Sequence, residues 1–270
     1  MFVLARSTSA TDRLDERAHV LAGDLFERRE VERAVEASKP DLCVHLAWNT
    51  EPGRYFRDVN ENLRALAGSV DLMLALVAAG CERVVVGGTC VENVRPLTVY
   101  SAAKRSLHDV VDQLTREGHA YVCAHVFYPF GHGENPARTV PTIIRKLLRG
   151  EPVAMTAGEQ VRHYTHVTDL ASALCRVALA NTAGTIDLCW GEPVMVREFT
   201  DLIGEATGRR ELIAYGEVPY HADEVMRAVG DPQPLESGLG WKPGASLRER
   251  VDETVQWWLR SGAVAAGKNG

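Results

Sequence analysis

The sequence has no CxxC pair, no histidine–cysteine cluster at metal-ligand spacing, no apolar run long enough to span a membrane and no block of Lys and Arg. It also has no internal repeat and no low-complexity segment. Each absence excludes something. Six cysteines (Cys43, Cys81, Cys90, Cys123, Cys175 and Cys189) are scattered, mostly inside apolar runs. They read as reduced, mostly buried thiols, not as a disulfide framework or a zinc site. His163 and His166 lie three apart, but no third ligand has matching spacing, so a hydrogen-bonded structural role is expected and no metal. The opening residues include Arg6, Asp12 and Arg13, which argues against a signal peptide and makes the cytoplasm the expected location. A formal net charge of -6 with both signs interspersed offers no basic stripe for nucleic acid and no membrane anchor.

What is present is a chain of 270 residues, 46% hydrophobic, enough to bury a full core. Apolar runs of strand length alternate with amphipathic helical stretches, the pattern of an α/β protein with a parallel sheet covered by helices. Strands are expected at FVLA, HVLAGD, DLCVHLA, RVVVGG and YVCAHVF, beginning at Phe2, His19, Asp41, Arg83 and Tyr121. Helices are expected near Glu27 to Ser38, Val59 to Ala79 and Thr98 to Glu117. After Gly131 the texture changes: ARTVPTIIRKLLRG reads as a helix, and VRHYTHVTDLASALCRVALA as one strand leading into a helix capped by Thr168 or Asp169. SLRERVDETVQWWLR makes a closing amphipathic helix in which Trp257 and Trp258 are packing residues.

The strongest chemical signal is VYSAAKRSL. Tyr100 and Lys104 are four apart and share one face of a helix. A phenol titrates near ~10 on its own, and an adjacent ammonium favours the phenolate, so Lys104 is expected to lower the Tyr100 pKa. Thr89, just past RVVVGG, can hold the same substrate oxygen while hydride arrives from a cofactor. Trp48, in HLAWNTEPGRYF, is placed to line the cleft.

GGTCVE, VYSAAK, HVFYPFGHGEN, VRHYTHVTDLASAL and ESGLGWKP, followed by a helix ending in QWW, occur in an order that resembles the extended short-chain dehydrogenase/reductases acting on nucleotide sugars. That resemblance implies a Rossmann-type sheet with a smaller C-terminal substrate lobe. The expected organisation is a dinucleotide-binding domain over 1–135, a substrate lobe over 136–262 with segments returning to the sheet, and a flexible tail over 263–270. Thr89, Tyr100 and Lys104 match the family's catalytic residues, with Lys104 also holding the nicotinamide ribose. Arg6 and Ser7 follow what resembles the family's second strand. An Arg there suits a ribose phosphate and favours NADP(H), with NAD(H) possible, although an Arg near a terminus can simply be solvated. Asp24 and Leu25 resemble the adenine-contacting pair, Ala47 the small residue against which the cofactor packs, and Asn62 a family position in the next helix.

The family's first strand, GxxGxxG turn and helix have no counterpart in this sequence. MFVLARS therefore reads as an internal strand, and poor cofactor binding is expected of the chain as it stands. In the lobe, Tyr128, Arg138, Pro141, Thr142, Arg162 and Arg227 fall at positions resembling contacts to the sugar nucleotide, though each Arg can also be a surface charge. His125 and His132 stand where relatives usually have Arg and Pro. HLAWNTEPGRYF resembles a subgroup tied to deoxysugars, which points to a 4-keto-6-deoxyhexose nucleotide. Three readings follow from the resemblance: an NAD(P)H-dependent reductase of that ketosugar, a nucleotide-sugar 4-epimerase with tightly held NAD, and a truncated, non-catalytic remnant that binds a nucleotide sugar. A homodimer paired through the helices at Val59 and Thr98 is implied as well.

Overall fold

The structure is a computed structural model, and it describes residues 1–6, 11, 14–94 and 98–261. Two compact units emerge, one formed by Met1–Ala124 with Asn181–Thr185, the other by His125–Ala180 and the chain from Ile186 onward.

In the first unit, β1 (Phe2–Ala5) and β2 (His19–Ala22) pair in parallel, Phe2 opposite His19 and Ala5 opposite Ala22. β3 (Leu42–His45) and β4 (Arg83–Thr89) also pair in parallel, Leu42 opposite Arg83 and His45 opposite Val86. With β5 (Ala120–Val126) and β10 (Gly184–Leu188) they form a four-stranded sheet in the order β10-β5-β4-β3, separate from the β1-β2 pair. β4 is buried from Val84 to Thr89, as a strand covered on both faces must be. Its cover comes from α1 (Arg28–Ser38), α2 (Val59–Ala78) and α3 (Val99–Arg116). Val31, Val35, Leu72, Leu76, Val84, Val86, Leu107 and Tyr121 make one core, each large apolar side chain contributing about 1.5–3 kcal/mol.

Two local devices hold α3 and α2 in place. Thr98 and Ser101 form a capping box at the start of α3: Ser101 N donates to Thr98 Oγ1 at 3.1 Å and Thr98 N to Ser101 Oγ at 2.8 Å. This fixes the turn that carries Tyr100. In α2, Gly68 is a close-approach glycine, since a Cβ there would sit 2.3 Å from the Leu25 carbonyl oxygen.

The second unit holds β6 (Pro129–Phe130), α4 (Thr139–Leu148), β7 (Val153–Met155), β8 (Val161–Arg162), β9 (Thr165–His166), α5 (Val167–Leu179), β11 (Val194–Met195), α6 (Val196–Thr207), β12 (Ile213–Tyr215), β13 (Arg227–Ala228) and α7 (Leu247–Arg260). Phe130, Ile144, Leu147, Phe199, Ile203, Val255 and Trp258 form its core, with Trp257 packed against it. Ser246 starts α7 with a second capping box, through Glu249.

Three expectations change. VRHYTHV is not one strand: β8 pairs with β11 and β13 while β9 pairs with β6, and the divergence of partners breaks the run in two. α5 is capped by His166, whose Nδ1 accepts from Thr168 N at 3.4 Å, and not by Thr168 or Asp169. Asp169 instead accepts a bidentate pair from Arg250, at 2.7 Å for each bond. The units divide at Ala124, not near residue 135, because β5 itself crosses the division, as does β10. Ser7 and the tail over 263–270 lie outside the described residues. Among the described residues no helix is long and apolar enough to cross a membrane.

Candidate active site

The carboxyl ends of the parallel strands in the first unit carry five of the singled-out residues: Arg6 follows β1, Asp24 follows β2, Ala47 and Trp48 follow β3, and Thr89 ends β4. Open α/β sheets place their ligands at these ends. α3 then brings Tyr100 and Lys104 back against β4. Thr89, Tyr100 and Lys104 are all buried, and a side-chain hydrogen bond joins Tyr100 to Thr89.

Lys104 is tightly held. Its Nζ donates to the Gly87 carbonyl at 2.6 Å and stands 4.2 Å from the Trp48 ring centroid. Burial lowers its pKa to about 8, partly opposed by the Glu92 carboxylate. Tyr100 has edge contacts from Tyr55 at 4.9 Å, Phe56 at 5.5 Å and Trp48 at 6.3 Å. Asn62 braces that aromatic collar, accepting from Trp48 Nε1 at 2.9 Å and donating to the Tyr55 carbonyl at 2.6 Å. The collar reverses one expectation. Burial pushes the Tyr100 phenol well above its ordinary value, and the Thr89 hydrogen bond only moderates the rise. In this structure Tyr100 is a neutral acid and not a phenolate lowered by Lys104.

Of the cofactor candidates, Arg6 and Ala47 are exposed and Leu25 is half-buried against α2. Asp24 organises its own turn, taking Phe26 N at 3.0 Å and donating its N–H to Glu30 at 2.8 Å.

The substrate candidates Tyr128, Arg138, Pro141, Thr142, Arg162 and Arg227 lie in the second unit. Pro141 is buried in the first turn of α4, where it packs, and Thr142 donates to the Pro136 carbonyl at 3.3 Å. Arg138 precedes α4 and is half-buried, and Arg227 is exposed on β13. Arg162 departs from the expectation of an arginine open to a diphosphate. It is 4% exposed in β8, the middle strand of its sheet, and its guanidinium is spent on Glu224 and on the Val161 and Val225 carbonyls while covering the Tyr128 ring at 4.8 Å. His163 takes the expected structural role, with Gly230 N on Nδ1 and the Gly191 carbonyl on Nε2, both at 3.2 Å. His125 pairs with Asp187 at 2.9 Å.

Two acids were not singled out from the sequence. Glu134 is raised to about 7 by burial, against the opposing pull of Arg138. Glu92 is 1% exposed and accepts Thr89 N at 2.9 Å. Its only signal in the sequence is its place three residues after Thr89 in GGTCVE.

A sequence profile described as the NAD dependent epimerase/dehydratase family matches residues 1–188. A probable UDP-glucuronate 4-epimerase of Rhizobium meliloti is 22% identical over 87% of this chain and 79% of its own length. The dTDP-glucose 4,6-dehydratase of Salmonella typhimurium is 29% identical over 61% of this chain and 48% of its own, so the match spans about half of that relative. The crystal structure of the UDP-glucose 4-epimerase of Thermus thermophilus with NAD superposes with a TM-score of 0.83 at 21% identity, covering 96% of this chain and 90% of that one. At that identity the likeness is one of fold.

Proposed function

The chain belongs to the NAD dependent epimerase/dehydratase family, and from that premise we propose that it reduces a nucleotide-linked 4-keto-6-deoxyhexose with NAD(P)H. The observation that carries this reading is the arrangement of three buried side chains, Thr89 at the end of β4 and Tyr100 and Lys104 four apart on α3, under the collar of Tyr55, Phe56 and Trp48. Adding hydride to a ketone carbon puts charge on its oxygen, and the partner needed is a positioned acid. A neutral Tyr100 gives its Oη proton to that oxygen while Thr89 orients it. An oxidation, the first step of an epimerisation, instead requires Tyr100 to begin as a base.

The donor set fits the nicotinamide end of the cofactor. An ammonium has three donors and the Gly87 carbonyl takes one, leaving Lys104 able to hold ribose hydroxyls. Asp24 and Leu25 would flank the adenine, the cofactor would pack against Ala47, and Arg6 favours the phosphorylated form. When bound, that group supplies the hydride. In the second unit, Arg138, Arg227 and Tyr128 are the groups offered to the nucleotide diphosphate. The 4-epimerase reading keeps one specific support, the Rhizobium meliloti relative matched over most of its length. A homodimer through α2 and α3 accompanies the proposal.

The test has two stages. Tryptophan quenching on titration with NADPH and NADH measures cofactor binding, and nicotinamide absorbance then follows turnover of a nucleotide-linked 4-keto-6-deoxyhexose. Consumption of one NADPH per ketosugar supports the reductase. NAD retained through purification, with inversion at C4 and no net cofactor use, replaces it with the epimerase. A folded chain that binds neither cofactor overturns both in favour of the remnant.

A further inference from the structure

Tyr100, Lys104 and His108 recur at intervals of four along α3 and so share one face of the helix. The proposed reaction uses the first two. The third faces the turn after β4, where it meets Glu92. One carboxylate oxygen of Glu92 accepts the Thr89 amide at 2.9 Å, and the other meets His108 Nδ1 at 2.8 Å. His108 Nε2 continues to Thr185 Oγ1, at the start of β10, also at 2.8 Å. With Glu92 1% exposed and His108 at 14% side-chain exposure, the carboxylate is anchored from two sides in a medium that screens poorly.

A buried carboxylate is costly unless its oxygens are bonded and a positive charge stands near. Both conditions are met: the two oxygens take Thr89 N and His108 Nδ1, and the buried Lys104 ammonium stands one turn before His108 on the same face of α3 and feels the carboxylate. The sign of its effect is the one a reduction needs: a fixed negative charge holds the ammonium charged and keeps the phenol protonated. A residue that served only to cap the turn would not need a carboxylate, because an amide oxygen accepts the Thr89 N–H equally well.

We propose that Glu92, braced by His108, is a positioning residue of this site: it fixes Thr89 through the backbone and serves as the fixed counter-charge of Lys104. The inference rests on the reading that Thr89, Tyr100 and Lys104 do the chemistry, but its central claim can be measured without turnover. The other groups that face Lys104 are His45 on β3, Cys123 on β5, Tyr100 on α3 itself and the Trp48 ring. None of these is a carboxylate, so among the described residues Glu92 is the carboxylate that acts on Lys104.

The experiment is an NMR titration of the Lys104 13Cε resonance in the full chain, assigned with Lys104→Met, for wild type and for Glu92→Gln. Gln keeps an acceptor for Thr89 N and removes the charge. We expect Lys104 to lose its proton at a pH lower by about one unit in Glu92→Gln, with the circular dichroism spectrum unchanged. His108→Gln, which keeps the Glu92 charge and loosens its anchor, is expected to give a smaller shift. If Lys104 titrates at the same pH in Glu92→Gln as in wild type, Glu92 is a structural residue and the proposal fails. If wild type shows no hydride transfer while the shift is present, the functional reading fails and the counter-charge stands. Given activity, the alkaline limb of kcat moves down by the same amount in Glu92→Gln, with KM nearly unchanged.

Discussion

Lys104 bears the cost of being placed for chemistry. Burial lowers its pKa from the ordinary lysine value of 10.5 to about 8, so at neutral pH the folded chain carries a charge that it disfavours relative to the unfolded one. Between pH 8 and pH 10.5 the unfolded state binds the extra proton, and the wild-type fold therefore gains stability as pH rises through that window. Lys104→Met removes the titrating group and is expected to abolish this rise at alkaline pH. Urea unfolding at a series of pH values measures it, and a Lys104→Met chain that gained stability between pH 8 and pH 10.5 as wild type does would refute this account. The same site gives a rate prediction: Tyr100→Phe keeps the aromatic collar intact and removes the acid. Its turnover should fall by about 100- to 10,000-fold with unfolding unchanged to within about 1 kcal/mol.

Gly68 shows how an element's position can override its own preference. On an isolated helix, Gly→Ala gains about 1 kcal/mol. In α2 the added Cβ would stand 2.3 Å from the Leu25 carbonyl oxygen, a backbone atom that cannot swing aside. Gly68→Ala is expected to destabilise the fold by about 1–3 kcal/mol and to displace the Asp24-Leu25 turn. A thermal midpoint equal to or above that of wild type would show that α2 yields freely. The elements most legible in the sequence were those whose pattern is local: the buried runs of β4 and β5, the twenty-residue α2, and the Tyr100–Lys104 spacing on α3. β6, β8, β9, β11 and β13 were not legible individually, because two-residue strands exist only through partners distant in the chain. The same reason explains the site. Four-residue spacing announced Tyr100 and Lys104, but the direction of the Tyr100 shift depends on Tyr55, Phe56 and Trp48 folding over the ring. Likewise the sequence could not reveal that Arg162 is buried in the middle of a sheet, or that the acid in GGTCVE turns inward to Thr89.

At the scale of the whole molecule, the surface of the first unit carries an apolar stripe that its own fold leaves uncovered. Val59, Leu63, Leu74 and Val77 on α2 are 54%, 52%, 54% and 38% exposed. At ~100° per residue these four positions fall within about 60° of one another around the helix axis, so they form a single line along a helix roughly 30 Å long. Val110 adds a further exposed apolar side chain on α3, which packs beside α2. Single exposed apolar residues need no explanation, but an aligned row on adjacent helices marks an association face. A symmetric dimer places the same stripe on both copies, so helices from each can close over one another. Sedimentation equilibrium of the wild-type chain is therefore expected to give twice the 29.6 kDa chain mass. Leu63→Glu combined with Leu74→Glu sets four carboxylates across a two-fold interface and should yield a monomer with an unchanged circular dichroism spectrum. A monomeric wild type would remove α2 as an interface, and a double variant that stayed dimeric would place the contact elsewhere on the molecule.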